Sequence, residues 1–174
     1  MRKFLLVALL CVGATSAQAL EKEEVIMNDM EYSNEFQLAL RKAQHTDKAK
    51  SFDSLLKYAQ YGEKIAQFMV GNFYLTGTGT KADPLEGLIW MGVALEQKVP
   101  EWQKAYDGLT AKLPADQMAM LQGKIDERKA LYGIKAQHMS CVKQATVVGS
   151  NMRYHVCNKK LDSAQRVTVV KYTE

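Results

Sequence analysis

Between Ala59 and Gln97 the apolar residues fall into two helical series separated by a glycine-threonine break, and this arrangement limits the fold more than any other part of the chain. Ile65, Phe68, Met69, Phe73 and Tyr74 recur at three- and four-residue steps around Gly71, the spacing of a helix with one apolar face. The run Thr76-Gly77-Thr78-Gly79-Thr80 then ends that helix, because the glycines permit positive φ and the β-branched threonines disfavour helix. Asp83 offers a side-chain acceptor to free amides, and Pro84 has a φ already suited to a first helical turn. Leu85, Leu88, Ile89, Met91, Gly92 and Leu95 supply a second apolar face. The expectation is a helical hairpin.

The order Ala59, Gly62, Ala66-Gln67-Phe68, Gly71, Tyr74, Gly77, Gly79, Asp83, Trp90, Ala94 resembles the Sel1-like repeat, a relative of the tetratricopeptide repeat. Gly87 stands where that family usually has alanine, and Lys98 where it usually has a helix-ending glycine. The resemblance implies pairs of antiparallel helices stacked into a solenoid, and adaptor or scaffold roles in the assembly of complexes.

The flanks extend the pattern. Phe36, Leu38, Leu40 and Ala43 give a weaker helical face from Asn34 to Ala43, broken by His45 and Thr46. Thr46 or Asp47 can cap the next helix, whose face is Phe52, Leu55, Leu56 and Ala59 before Gly62 closes it. An offset of about 36 residues places Phe52 on Leu88, Leu55 on Met91, Ala59 on Leu95 and Ala66 on Trp102, so the helix faces superpose. After Pro100, Trp102, Ala105, Tyr106 and Leu109 continue a helix. Leu113-Pro114-Ala115-Asp116 starts a longer one, with Met118, Leu121, Ile125 and the stem of Arg128 on one side and Gly133 at its end. A longer helix with a polar outer face suits a terminal cap. The expected fold is mainly α: a tetratricopeptide-like solenoid over residues 34–134, built of helical hairpins and a capping helix, followed by a small β-hairpin appendage over 138–174.

Residues 1–19 read as a secretory signal, with Arg2 and Lys3, an apolar core from Phe4 to Val12, and Ala17-Gln18-Ala19 as the cleavage site. The core is short of the roughly 20 apolar residues that span a bilayer, so no membrane insertion is expected once it is removed. Loss of Arg2 and Lys3 leaves 21 of the 23 basic residues against 19 acidic ones, a net charge of +2. No basic run suited to a phosphate backbone is present, and Arg41 with Lys42 or Lys159 with Lys160 read as solvated faces, so nucleic acid is not an expected partner. Residues 20–33 are acidic and aperiodic and read as a loosely structured segment.

From Ser140 the period changes. Val142, Thr146, Val147 and Val148, then Met152, Tyr154 and Val156, then Val167, Val169 and Tyr172 form short β-prone runs separated by Gly149-Ser150-Asn151 and by Asn158 to Ser163. Two or three antiparallel strands are expected. Cys141 and Cys157 lie eight residues either side of Gly149, so a hairpin turning there sets them opposite one another. With Cys11 discarded they form an even pair in an exported chain, which favours a disulfide. Their spacing is also similar to a short C-terminal cysteine module of some small exported bacterial proteins. The competing reading is a metal-binding module in which His138, Cys141, His155 and Cys157 hold zinc.

Nothing in the sequence asks for catalysis. Gly77-Thr78-Gly79-Thr80-Lys81 does not fit G-x-x-x-x-G-K-[ST] and follows a helix rather than a strand. Ser51, Ser54 and Ser150 lack an elbow motif, and His45 lacks an acid partner. Trp90, Tyr74, Phe73 and Trp102 read as packing between stacked helices, whereas Tyr58, Tyr61 and Tyr106 are the candidates for a partner-binding surface. The reading is a non-catalytic periplasmic or secreted adaptor, with no cofactor, that takes another protein or peptide as partner. The alternative is an exported hydrolase or binder of cell-wall-related compounds, which resemblance to cysteine-rich Sel1-like proteins suggests; those carry cysteine pairs within each repeat, and Ala59 to Gln97 has none.

Overall fold

The computed structural model describes residues 20–145 and 153–173. The expected signal segment 1–19 and the expected turn at Gly149-Ser150-Asn151 lie outside the described residues. In chain order the elements are strand β1 (Glu21–Asn28), helices α1 (Asp29–Arg41), α2 (Phe52–Gln60), α3 (Lys64–Thr76), α4 (Pro84–Ala94), α5 (Pro100–Thr110) and α6 (Ala115–Tyr132), and strands β2 (Met139–Ala145), β3 (Arg153–Lys159) and β4 (Arg166–Thr173). A π-helical turn at Lys42–Thr46 extends α1, and a 3-10 turn at Leu95–Gln97 extends α4. The architecture is a mainly α stack of tetratricopeptide-like hairpins with a small antiparallel strand pair near the C-terminus.

The expected hairpin is α3 and α4, and glycines set how closely its helices approach. A Cβ on Gly71 would lie 2.5 Å from Met91 Cγ and 2.8 Å from the Gly87 carbonyl, and one on Gly87 would lie 2.9 Å from the Gly71 carbonyl. The two glycines therefore face each other across the hairpin, which accounts for a glycine at position 87. Gly77 and Gly79 take left-handed φ values of 69° and 70° in the turn, and Gly79 packs against the Ala49 carbonyl. Asp83 caps α4 by accepting from Glu86 N at 3.0 Å, with Pro84 in the first turn.

Two apolar clusters hold the stack. The larger joins α1, α2 and α3 through Tyr32, Phe36, Phe52, Leu55, Tyr58, Val70 and Phe73 and reaches Trp90. The smaller sets Ile89, Met91 and Val93 of α4 against Tyr106 of α5 and Leu121 and Ile125 of α6. Arg128 lies along this seam with its guanidinium 4.8 Å from the Trp90 ring and 2.9 Å from Glu86. Gly133 ends α6, as its sequence position predicts.

The N-terminal segment differs from the expectation. Residues 20–33 are not loose: β1 pairs along its whole length with β4, from Glu21 opposite Thr173 to Asn28 opposite Arg166. Asn28 then caps α1 by accepting from Met30 N at 2.9 Å and Glu31 N at 3.3 Å, so that helix begins at Asp29 rather than Asn34. The cause is non-local pairing, which leaves no period inside a strand where only Val25 and Met27 turn inward among the apolar residues.

The C-terminal region divides for the same reason. Val167 and Val169 of β4 join the larger helical cluster, so β4 belongs to the body and not to an appendage. Only β2 and β3 form a hairpin of their own, with Cys141 directly opposite Cys157 and a disulfide between them. Cross-linking across this separation of 16 residues is worth about 3 kcal/mol in a chain-entropy account. Met139, Cys157 and Lys159 bury the base of the hairpin, while Val142 and Tyr154 remain exposed.

Lys98 takes φ 58° just after the 3-10 turn, a conformation that costs a side-chain-bearing residue about 1–2 kcal/mol. Lys98→Gly relieves this, less the greater freedom of glycine in the unfolded chain. It should raise stability by about 0.5–1 kcal/mol, read as a higher urea midpoint at unchanged slope.

Candidate functional site

The three tyrosines expected at a partner-binding surface are buried, which corrects that expectation. Tyr58 is 2% exposed, with its ring 5.5 Å from Tyr32 and 5.0 Å from Phe36, and its hydroxyl reaches the surface only to donate to Glu35 at 3.0 Å. Tyr61 stacks on Tyr32 at 6.4 Å. Tyr106 fills the seam between α4 and α6. The physical reason is that a phenol packs as an apolar body and needs only one polar outlet.

A partly exposed aromatic pair joins α3 to α5. Phe68 of α3 and Trp102 of α5 stack in near-parallel planes at 4.7 Å, and both are half-exposed. Beside them an open groove is lined by Ala43, Gln44, Lys48, Phe68, Met69 and Asn72. The lining comes from the π-helical turn after α1, from Lys48 and from α3.

A network of buried polar groups joins the helices to the strands, and sequence reasoning missed it. Lys64, 1% exposed, donates to Glu96 at 2.7 Å and to Gln67 at 3.0 Å. Burial pushes its ammonium down from the ordinary range, and Glu96 opposes that shift. Gln67 in turn donates to the carbonyls of Ala59 and Tyr132, and Glu96 also accepts from Ile134 N. The Gln137 amide donates to the carbonyls of Leu131 and Val170 and accepts from Val170 N at 3.2 Å. Lys159 donates to both the backbone and the side-chain oxygens of Gln137, at 2.8 and 3.2 Å. Lys159 is 8% exposed, which corrects the reading of Lys159 with Lys160 as a solvated face: on a strand, adjacent residues point to opposite sides.

A cavity of about 330 Å³ opens between α1, the α2–α3 turn and the end of β3. Asp29, Tyr32 and Phe36 line it from one face of α1, Glu63 from the turn, and Lys159 and Leu161 from the far side. The Tyr32 hydroxyl donates to Glu63 at 2.7 Å. Loss of water pushes the Glu63 carboxyl above the ordinary carboxylate range, opposed by the Tyr32 hydrogen bond and the charges of Lys159 and Lys64. The same desolvation lowers Lys159 to about 8. The only local signal for any of these residues is the Glu63-Lys64 pair at a helix start, which reads equally well as an exposed cap.

The zinc reading fails on this structure, because the disulfide consumes both sulfurs. His138 lies instead 3.5 Å from Glu24, and His155 sits opposite Lys143 on the hairpin. Among the described residues no group of three or more His, Cys, Asp or Glu side chains is placed to hold a metal ion.

Paired helices with close glycine contacts, stacked in register and closed by a longer helix, define a tandem helical-repeat protein. More particularly, the chain has the Sel1-like repeat (SLR) fold. It aligns in structure with a protective antigen present in uropathogenic Escherichia coli strains, described as displaying an SLR fold. The TM-score is 0.50 at 20% identity, over 59% of this chain and 23% of that one. In sequence it is 23% identical over 96 residues to the alginate biosynthesis protein AlgK of Pseudomonas syringae pv. tomato, covering 55% of this chain and 20% of AlgK. The chain thus spans under a quarter of the length of either relative. No protein-family model matches it. Among the described residues no helix is long and apolar enough to cross a membrane.

Two outcomes check the polar network. Gln137→Leu removes the amide that serves the Leu131 carbonyl and both backbone groups of Val170, together with one of the two oxygens on Lys159, and should cost about 3 kcal/mol in urea unfolding. For Lys159 the folded pKa of about 8 lies below its ordinary 10.5, so between these values the unfolded chain holds a proton that the native state has lost. Stability therefore rises with pH across that window. Measured as wild type minus Lys159→Met, so that other groups cancel, the difference should be flat below pH 8 and move in favour of wild type toward pH 10. A flat difference throughout rules out the depressed ammonium.

Proposed function

We propose that this chain is a non-catalytic periplasmic interaction protein, an adaptor that seats another protein or peptide on its Sel1-like repeats. The observation that carries the reading is the open groove beside the stacked Phe68 and Trp102 rings, where aromatic, thioether and amide side chains meet on a rigid helical face. Aromatic and methionine side chains are enriched at the centres of protein interfaces, and helical repeats use such faces for binding. Export of the chain rests on the leader-like pattern of residues 1–19 and on the disulfide, since disulfides persist in oxidising compartments. The buried tyrosines contribute stability to the scaffold and not contact area.

A photo-cross-linking residue at position 72, in the groove, should capture a discrete partner in living cells, whereas the same residue at position 122, on the outer face of α6, should not. Met69→Asp should lower capture from position 72 at least about tenfold while leaving the helical spectrum unchanged. Equal capture from positions 72 and 122, or capture indifferent to Met69→Asp, overturns the reading.

A further inference from the structure

The cavity between α1 and β3 shares no lining residue with the Phe68–Trp102 groove and plays no part in the scaffold reading. Its wall carries a carboxyl and an ammonium, Glu63 and Lys159, which feel each other's charge but are joined by no hydrogen bond or ion pair. The Glu63 carboxylate accepts from Tyr32, and the Lys159 ammonium donates to Gln137. Two of the three ammonium N–H donors are used in this way, which leaves one for the cavity. Asp29, also on the wall, accepts from Ser33 at 3.4 Å and lies on the same face of α1 as Tyr32. Phe36 and Leu161 supply the apolar part of the wall, and Ser33, Gln37 and Asn158 add polar groups to it. Partly desolvated charges kept apart across an opening are unfavourable unless something bridges them, and water bridges them less well than an oriented pair of opposite charges. At about 330 Å³ the cavity falls at the small end of the range for ligand pockets, roughly 300–1,000 Å³.

We propose that this cavity binds a small zwitterion, a free amino acid with an apolar side chain, with its ammonium at Glu63, its carboxylate at Lys159, and its side chain against Phe36 and Leu161. Free amino acids carry both charged groups on one α-carbon. A peptide end carries only one there, so the geometry selects the free molecule. The carboxylate replaces water at the third Lys159 donor, and the ammonium donates to the Glu63 oxygen that Tyr32 does not occupy. Leu161 lies two residues beyond Lys159, the last residue of β3, and bridges to Val167 of β4, so its place on the wall is fixed from both sides.

The test uses the full oxidised protein in a two-dimensional NMR titration with leucine, leucine amide and N-acetyl-leucine. Leucine should shift the amides of Tyr32, Glu63 and Lys159 saturably, and each analogue, lacking one charge, should bind at least about tenfold more weakly. Lys159→Met should weaken leucine but not leucine amide, and Glu63→Gln should weaken leucine but not N-acetyl-leucine. No saturable shift with leucine or phenylalanine at 10 mM overturns the proposal, as does equal binding of leucine and both analogues. The comparison of ligands on the wild-type protein holds even if a variant fails to fold. None of these outcomes bears on the Phe68–Trp102 groove.

Discussion

The structure depends most on how Gln137 is held. Its side-chain amide does what a neighbouring strand would do for β4, taking both the N–H and the carbonyl of Val170, and it also closes the last turn of α6 at Leu131. Lys159 fixes the orientation of that amide from β3. One side chain thus ties together the capping helix, the strand that pairs with the N-terminus and the disulfide hairpin. Room for it comes from Gly62, at φ 96°, where a Cβ would lie 2.8 Å from both Gln137 Cβ and Met139 Sδ. A glycine that belongs to the repeat pattern therefore also admits the segment after α6.

The charges around this junction are arranged to limit the cost of burial and not to maximise attraction. Lys64 is enclosed with one carboxylate and one amide oxygen, and Glu96 is satisfied in addition by the Ile134 amide. Such a group adds little net stability compared with a well-packed apolar alternative, but removing one partner leaves the other buried and unpaired. Its value is in register. Lys64 opens α3, Glu96 lies in the turn after α4, and Ile134 comes just after α6, so one ion pair and the amide bond to it set three elements against one another.

What the sequence reveals is what local chemistry determines. The α3–α4 hairpin is legible because periodicity, the glycine-threonine break and the Asp83-Pro84 start all point to one answer, and the cysteine pair is legible because a centred turn puts Cys141 opposite Cys157. The strand β1 is not legible: Glu21–Asn28 has no period of its own and pairs with residues some 140 positions away. The buried tyrosines mislead for a different reason. Tyr58 and Tyr61 have the polar tip of a surface residue, and only the packed structure shows that Tyr32 and Phe36 cover their rings. Lys159 and Lys160 look alike in sequence, and strand alternation alone sends one into the protein and leaves the other in water.

These contacts also explain why the groove face remains open. A short repeat stack exposes apolar surface at both ends and needs a cover at each. At one end the β1–β4 sheet supplies it, setting Val167, Val169, Val25 and Met27 against the α1 and α2 cluster. At the other, α6 lays Leu121 and Ile125 on α4, where Ile125 lies tight against Gly92. The groove residues sit at the margins of these clusters: Phe68 packs in part on the α4–α6 cluster and Met69 on the larger one, and both stay partly exposed. The covers therefore support the groove from beneath without filling it, which leaves a partly aromatic surface beside Trp102.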